Sequence, residues 1–158
     1  MKPTYDEKDL EILKILQENG RASYSEIAKK LGLSEAAVYT RIQKLIKQGV
    51  IKKIQAILDS EKLGLNLSAI IAVKAQPSKY ENVLRELSQM SEISEIYDVT
   101  GDYYCLLKLK VSNREALAKL LDKIGSMDGV IATDTRIVLR TIKESYTISL
   151  DHIIGMKS

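Results

Sequence analysis

The chain has 158 residues, of which 45% are hydrophobic and 28% charged, as is usual for a globular protein, and its formal net charge is +3. The single cysteine allows no internal disulfide. Because the sequence has only one cysteine and one histidine, it offers no structural zinc site. No apolar stretch approaches the length needed to span a bilayer, so we expect a cytoplasmic protein with no membrane contact, no metal and no cofactor.

Three helices are predicted in the first part of the chain. Asp6 or an adjacent acid begins the first helix. The second covers residues 25–31 and ends at Gly32, because glycine tolerates the left-handed conformation in which helices stop. Ser34 begins the third, since its hydroxyl can accept from backbone N–H groups of the first turn. Two helices joined by a tight turn around a glycine are typical of a helix-turn-helix, whose second helix lies in the major groove of DNA.

The positive charge is concentrated on and just after the third helix. Residues 1–60 hold 11 Lys/Arg and 8 Asp/Glu, whereas residues 61–158 hold 13 of each. Five bases and no acid lie between Tyr39 and Lys53. This distribution is expected of a protein that binds duplex DNA, although a solvated basic helix face is the simpler alternative.

We therefore predict DNA contacts from the start of the second helix and from the third helix. Arginine and lysine would pair with phosphates or reach base edges, and serine hydroxyls would bond phosphates. Arg41 has a competing interpretation, an ion pair within the domain. The predicted DNA-binding residues are Ser23, Tyr24, Ser25, Ser34, Glu35, Ala36, Tyr39, Thr40, Arg41, Lys44 and Lys47.

The segment after Gly49 is predicted to form strand at 50–51 and again at 54–58, with Lys52 and Lys53 between them near the phosphates. A polar segment follows. The predicted organisation is a helix-turn-helix domain with its following strand at 1–58, a linker at 59–66, a second domain at 67–144 and a C-terminal tail at 145–158.

The second domain shows a repeated strand and helix pattern. The predicted order is strand 67–75, helix 77–90, strand 93–99, strand 103–111, helix 112–125 and strand 130–141. This order predicts a ferredoxin-like βαββαβ domain, with an antiparallel four-stranded sheet and both helices on one face. The fold class is therefore α+β, with an N-terminal winged helix-turn-helix domain.

The other face of that sheet has no obvious cover within the chain. Leu106, Ile96 or Tyr97, and part of 131–139 would lie on it, so we predict a homodimer joined sheet to sheet. The tail has an apolar side that can dock either on its own chain or on a neighbour, and its histidine is assigned no role. The apolar tail residues are Ile148, Leu150, Ile153 and Ile154, and the histidine is His152.

Several motifs carry a family resemblance. The motifs D-x-x-D-L-x-I-L-x-x-L (6–16), E-I-A-K-K-L-G-L-S (26–34), R-I-x-K-L-x-x-x-G-V-I (41–51) and V-T-G-D-Y (99–103) resemble those of the Lrp/AsnC transcription regulators. The resemblance extends to about residue 143. It implies dimers that commonly assemble into octamers. It also implies small effectors, usually amino acids, bound between dimers near the turn that contains Gly101.

The resemblance directs attention to that turn as the effector site. Backbone N–H groups around Gly101 would bind the carboxylate of an amino acid, and Asp102 would bind its ammonium group. Tyr104 departs from the family pattern, because many members carry a second acid there that is associated with effector response. The predicted effector-binding residues are Thr100, Gly101, Asp102, Tyr103, Tyr104, Thr133 and Thr135.

The sequence thus predicts a sequence-specific, DNA-binding transcriptional regulator that responds to an amino acid or a related small effector. The alternative is a metabolite-sensing or assembly protein whose helix-turn-helix binds protein instead of DNA. An enzyme is not expected, because one histidine and one cysteine provide no nucleophile–base pair and no glycine loop is suited to phosphate.

Overall fold

The computed structural model describes residues 4–151 and residue 153. The assignments made for His152 and Ile154 lie outside the described residues. The chain divides into two compact units. The first, the helix-turn-helix unit, comprises the chain up to Ile57 together with the segment that begins at Glu144, and the second, the sheet unit, is Leu58–Lys143.

The helix-turn-helix unit contains the three predicted helices, α1 (Glu7–Glu18), α2 (Tyr24–Leu31) and α3 (Glu35–Lys47). Each begins at a side-chain cap, which explains the predicted boundaries. One apolar side of each helix faces a shared core, because hydrophobic residues recur at helical spacing. The buried members of that core are Ile12, Ile27, Ala28, Val38 and Ile42.

The turn between α2 and α3 is fixed at both ends. Gly32 ends α2 with φ 64°, a left-handed conformation that a residue with a Cβ would adopt only under strain. Ser34 begins α3, because its hydroxyl oxygen accepts from the N–H of Ala37 at 3.1 Å. The predicted stop and start are therefore both confirmed.

The strands predicted at 50–51 and 54–58 are wrong. Residues 50–58 form no strand. The N–H groups of Val50 and Ile51 bond instead to the carbonyl of Leu45, at 2.9 and 3.2 Å, and so complete the end of α3. Among the described residues no second segment pairs with 54–58, and an isolated β segment has no ladder to satisfy its backbone.

The sheet unit has the predicted order of elements and an antiparallel sheet with the strand order β2-β3-β1-β4. A short 3-10 turn, Pro77–Lys79, leads directly into the first helix of this unit. The elements are β1 (Leu67–Ala75), α4 (Tyr80–Ser88), β2 (Ile93–Asp98), β3 (Cys105–Val111), α5 (Arg114–Gly125) and β4 (Val130–Ile137).

The last strand is shorter than predicted, since β4 ends at Ile137 and 138–141 lies outside it. The N–H of Val138 still bonds to the carbonyl of Ser68 at 2.9 Å. The neighbouring strand β1 begins at Leu67, so it offers no residues with which the backbone beyond Val138 could form ladder hydrogen bonds.

Alternation along the strands separates two faces of the sheet. Cys105, Leu107, Leu109 and Val111 of β3 are buried in the same core as residues of α4 and α5, as expected for alternate residues of a strand. The intervening residues point to the opposite face, where Ile70 and Tyr97 are exposed. One face of the sheet is therefore the core of the unit, and the other presents apolar side chains to solvent.

The C-terminal tail docks on its own chain. Gln17 of α1 exchanges two hydrogen bonds with the backbone of Ile148, donating to its carbonyl at 3.1 Å and accepting from its N–H at 2.8 Å. Lys14, one turn earlier, pairs with Asp151 at 2.7 Å. Leu150 lies between these contacts in sequence and is buried. The sequence left open whether the tail docks on its own chain or on a neighbour, and the structure shows it docked on its own chain.

Candidate functional site

The outer surface of α3 and the start of α2 are open to solvent. Nine of the eleven predicted DNA-binding residues are exposed, and the other two are partly buried. The exposed nine are Ser23, Tyr24, Ser25, Ser34, Glu35, Ala36, Tyr39, Thr40 and Lys47. The geometry required of a groove-binding helix, an uncovered N-terminal half, is thus present in the helix-turn-helix unit.

Arg41 forms the internal ion pair that was its competing interpretation. Its Nη1 atom lies 2.9 and 2.7 Å from the two carboxylate oxygens of Asp6 and 2.7 Å from Oδ1 of Asp9. The Arg41 side chain is only 28% exposed to solvent. The guanidinium therefore joins α3 to the start of α1, and we no longer count it among the cations available to DNA.

Asp9 is the centre of this cluster. Its side chain is fully buried, and its second oxygen faces Nζ of Lys44 at 3.4 Å. The hydrogen bond from Arg41, followed by that from the N–H of Asp9, holds the pKa of Asp6 below its usual value. The hydrogen bonds that Arg41 donates to the carboxylates of Asp6 and Asp9 raise the pKa of Arg41. This role of Asp6 and Asp9 was not predicted, although two acids three residues apart at the start of a helix were a usable signal.

Three exposed hydroxyls of the candidate surface are already engaged locally. The hydroxyl of Ser23 accepts from the N–H of Glu26 at 3.1 Å, and the Glu26 carboxylate accepts from the N–H of Ser23 at 2.7 Å. The bond from the Ser23 N–H, followed by one that the Ser23 hydroxyl donates to the same carboxylate, lowers the pKa of Glu26. Ser34 caps α3, as described above, and the hydroxyl of Thr40 donates to the carbonyl of Ala36 at 2.9 Å. These residues shape the surface and leave Tyr24, Tyr39 and Lys47 as its long side chains.

Tyr24 and Tyr39 bring the two helices together on this surface. Their rings meet edge to face, with centroids 5.7 Å apart and planes at 72°. Tyr24 is 40% exposed and Tyr39 50% exposed. An aromatic pair that remains half open to solvent presents both apolar ring area and hydroxyl groups to a partner.

The second candidate site is the turn between β2 and β3. Gly101 has φ 123°, where only glycine is unstrained. The carbonyl of Tyr104 accepts from the N–H of Val99 at 2.8 Å and closes the turn. The N–H of Tyr104 donates to the carbonyl of Val73 in β1 at 3.1 Å. The turn is therefore held against the end of the sheet by its own backbone.

Thr133 is brought towards this turn, because it pairs with Val73, the residue whose carbonyl binds Tyr104. Thr135 lies two residues further along β4, opposite Ile71 and on the same face. Both are partly buried on the helix-covered side of the sheet. The structure thus groups Thr133 with the turn more closely than Thr135.

Tyr80, at the start of α4, lies beside this turn and was not among the predicted site residues. Its hydroxyl lies 3.0 Å from Oδ1 of Asp98 and 3.0 Å from the carbonyl oxygen of Tyr104. Its ring meets that of Tyr104 edge to face at 5.6 Å. No spacing in the sequence connects Tyr80 with Asp98, which only the docking of α4 on the sheet brings together.

Cys105 is the buried neighbour of this group. Burial, with a smaller contribution from the nearby charge of Asp98, raises the pKa of its thiol to about 11. The thiol is therefore protonated at neutral pH and packs in the core, as expected for a small apolar residue. Among the described residues, no helix combines the length and the apolar character needed to cross a membrane.

A helix-turn-helix with capped helices is joined here to an α+β domain whose β2–β3 turn is fixed by backbone hydrogen bonds. This combination defines a class of protein, the two-domain transcription regulator that pairs DNA binding with ligand binding. Comparisons with known proteins agree. Residues 5–52 match the winged helix-turn-helix DNA-binding family, and residues 68–148 match the Lrp/AsnC ligand binding domain. The chain belongs to the Lrp/AsnC family of DNA-binding transcriptional regulators.

Relatives and solved structures give the same result over nearly the whole chain. The HTH-type transcriptional regulator FL11 of Pyrococcus horikoshii is 46% identical over 145 residues, which cover 92% of this chain and 96% of the relative. FL11 of Pyrococcus furiosus is 41% identical with the same coverage. These relatives are named as regulators, and the expectation that the chain is not an enzyme is confirmed.

Two solved structures show the fold. The transcriptional regulator NMB0573 of Neisseria meningitidis, in complex with L-Met, aligns with a TM-score of 0.90 and 28% identity, covering 95% of this chain and 99% of that one. AsnC of E. coli aligns with a TM-score of 0.86 and 28% identity, covering 91% and 98%. The predicted α+β fold class, with its antiparallel four-stranded sheet, is confirmed.

Proposed function

We propose that this regulator binds specific duplex DNA sequences through the exposed surface of α3 and the start of α2. One observation carries the proposal, the open face of α3 on which Tyr39 and Lys47 project while Arg41 is withdrawn into the domain. Lys52 and Lys53 follow the helix and are also exposed, so phosphate contacts would come from the far end of α3 and the segment behind it. Contacts with base edges would come from the N-terminal half of α3.

We further propose that the effector is an amino acid or a related small molecule, bound near the turn at Gly101 and between dimers. The ligand-binding family match over 68–148 supports the site, and the L-Met complex of the Neisseria meningitidis relative supports the class of ligand. The backbone N–H groups of the turn supply donors for a carboxylate. A regulator of chromosomal DNA would act in the cytoplasm.

The proposed assembly is a homodimer, joined through the open face of the sheet, which would assemble further to an octamer. Ile70 and Tyr97 are exposed on that face at 38% and 53%. Apolar side chains this open on a small domain are better satisfied by a second copy of the chain than by water. Sizing by light scattering, with and without a bound amino acid, tests both levels of assembly.

The experiment that tests DNA binding is the salt dependence of affinity. Selection from a random duplex library would first provide a preferred sequence. For the wild-type protein, log K should fall with log salt by about 0.9 for each phosphate neutralised. Lys47→Ala should weaken binding and reduce that slope by roughly 1. Lys123→Ala, an exposed cation on α5 of the sheet unit, is the matched control and should change neither. A flat salt dependence for the wild type would instead support a helix-turn-helix that binds protein.

A further inference from the structure

We infer that Asp98, held in position by Tyr80, is the carboxylate that binds the ammonium group of the amino acid effector, while the N–H groups of residues 100–103 bind its carboxylate. This inference rests on the proposed effector function and names the residues that would carry it. It replaces Asp102, the acid that the sequence suggested for the ammonium group.

The Tyr80 hydroxyl faces two acceptors. Two acceptors, Oδ1 of Asp98 and the carbonyl oxygen of Tyr104, both lie 3.0 Å from that hydroxyl, which has a single proton to donate. The carbonyl already accepts from the N–H of Val99 at 2.8 Å. The charged acceptor is the stronger one, so the proton belongs with Asp98.

Tyr80 orients the Asp98 side chain. The ring of Tyr80 is fixed against that of Tyr104, at 5.6 Å and 64°. Burial, followed by the hydrogen bond to Asp98, raises the pKa of Tyr80, so the hydroxyl stays protonated and continues to donate. The Asp98 side chain is thereby held in one orientation before any ligand arrives, which reduces the entropy lost on binding. The side chain nevertheless remains exposed, and among the described residues its second oxygen has no partner.

The turn between β2 and β3 supplies the donors for the effector carboxylate. In the described part of the chain, the N–H groups of residues 100–103 have no hydrogen-bond acceptor, although those of Val99 and Tyr104 on either side do. Successive N–H groups in a turn can donate to an anion. The turn thus offers donors for the carboxylate of an α-amino acid, and Asp98, at the end of β2, offers an acceptor for its ammonium group.

Asp102 is the weaker candidate for the ammonium group. Its side chain is exposed, and no hydrogen bond or ion pair with the described residues restrains it. Asp98, in contrast, is held by the hydrogen bond from the Tyr80 hydroxyl before any ligand arrives.

The experiment measures discrimination between an amino acid and its counterpart without the amino group. The full-length protein is titrated by calorimetry with each of the twenty L-amino acids, and the best ligand is compared with the carboxylic acid of the same side chain. The wild type should prefer the amino acid by at least about tenfold, the size of one charge-assisted hydrogen bond. Asp98→Asn should weaken amino acid binding by about ten- to a hundredfold and leave the carboxylic acid nearly unchanged.

Tyr80→Phe tests the positioning role. It keeps the ring contact with Tyr104 and removes only the hydroxyl, so the preference for the amino acid should fall by about three- to tenfold. A purely structural role would weaken both ligands equally and leave the ratio intact. Asp122→Asn on α5 is the matched control, and melting temperatures without ligand verify that every variant is folded.

The possible results separate the two proposals. An unchanged preference in Asp98→Asn, or a preference abolished by Asp102→Asn alone, would overturn the role of Asp98 and leave the effector function standing. If none of the twenty amino acids binds the wild type, the amino acid effector and this inference both fall. The salt dependence of DNA binding remains a separate test of the regulator.

Discussion

Replacing Arg41 by alanine should destabilise the helix-turn-helix unit. The substitution leaves the carboxylate of Asp9 fully buried, with only Lys44 at 3.4 Å as a remaining charged partner. Breaking a buried ion pair from one side costs about 3–5 kcal/mol. Because Lys44 remains and Arg41 itself keeps 28% of its exposure, we expect the lower end, about 3 kcal/mol.

The cost can be assigned to the charge of Asp9 by a double-mutant cycle. Asp9→Asn removes the buried charge and keeps the shape of the side chain, so adding Arg41→Ala to it should cost no more than about 1 kcal/mol. Hydrogen exchange of peptides from α1 and α3 reports the helix-turn-helix unit, and peptides from β1 and β3 serve as the internal control. The two single variants and the double variant are measured together.

Two results would refute the reasoning. One is an Arg41→Ala protein whose α1 and α3 amides exchange as slowly as those of the wild type. The other is the same loss of stability in the Asp9→Asn background as in the wild type. If stability were unchanged and DNA affinity fell, Arg41 would contact DNA directly, as the sequence first suggested.

Three further variants or conditions test other parts of the structure. Gly129→Ala should destabilise the sheet unit by about 1–3 kcal/mol, since φ is +101° and the new Cβ would lie 2.6 Å from Cβ of Lys79. Gly125→Ala, where nothing lies within 4 Å, is its control, and urea unfolding compares the two. Leu150→Ser should release the tail, seen as faster proteolysis after residue 144, whereas unchanged cleavage would contradict the docking. The pKa of Cys105 is raised from 9.0 to about 11, so the folded state retains a proton that the unfolded state loses. Its contribution to stability should therefore be intact below pH 9 and decline between pH 9 and 11, and a thiol reagent at pH 8 should react only after unfolding.

Much of the fold followed from local patterns in the sequence. Asp6, Ser23 and Ser34 are caps that act on residues three positions away, so their effect is visible in a short window. Alternation along β3 identified its core face because the period of a strand is two. The segment 54–58 was wrongly predicted to be a strand, since a short apolar stretch resembles a strand whether or not a partner exists to pair with it.

The parts of the site that could not be predicted depend on distant pairs. Arg41 and Asp9 meet only because α3 packs across α1, and the sequence left the basic side chain free to bind either an acid or a phosphate. Tyr80 and Asp98 are separated by a helix and most of a strand. No spacing rule links such residues, and their partnership emerges with the tertiary structure.

The connectivity of the chain has a consequence for its thermodynamics. Because the polypeptide leaves the helix-turn-helix unit after Ile57 and rejoins it at Glu144, the sheet unit is an insertion within that unit rather than an appendage to it. If the insertion unfolded, docking of Leu150 and its neighbours on α1 would have to close a long flexible loop, at an entropic cost on the order of 4 kcal/mol. Melting of the inserted domain should therefore loosen the tail from the first helix. A ligand that stabilises the inserted sheet unit would therefore also strengthen the docking of the tail on α1, although it would not contact the tail.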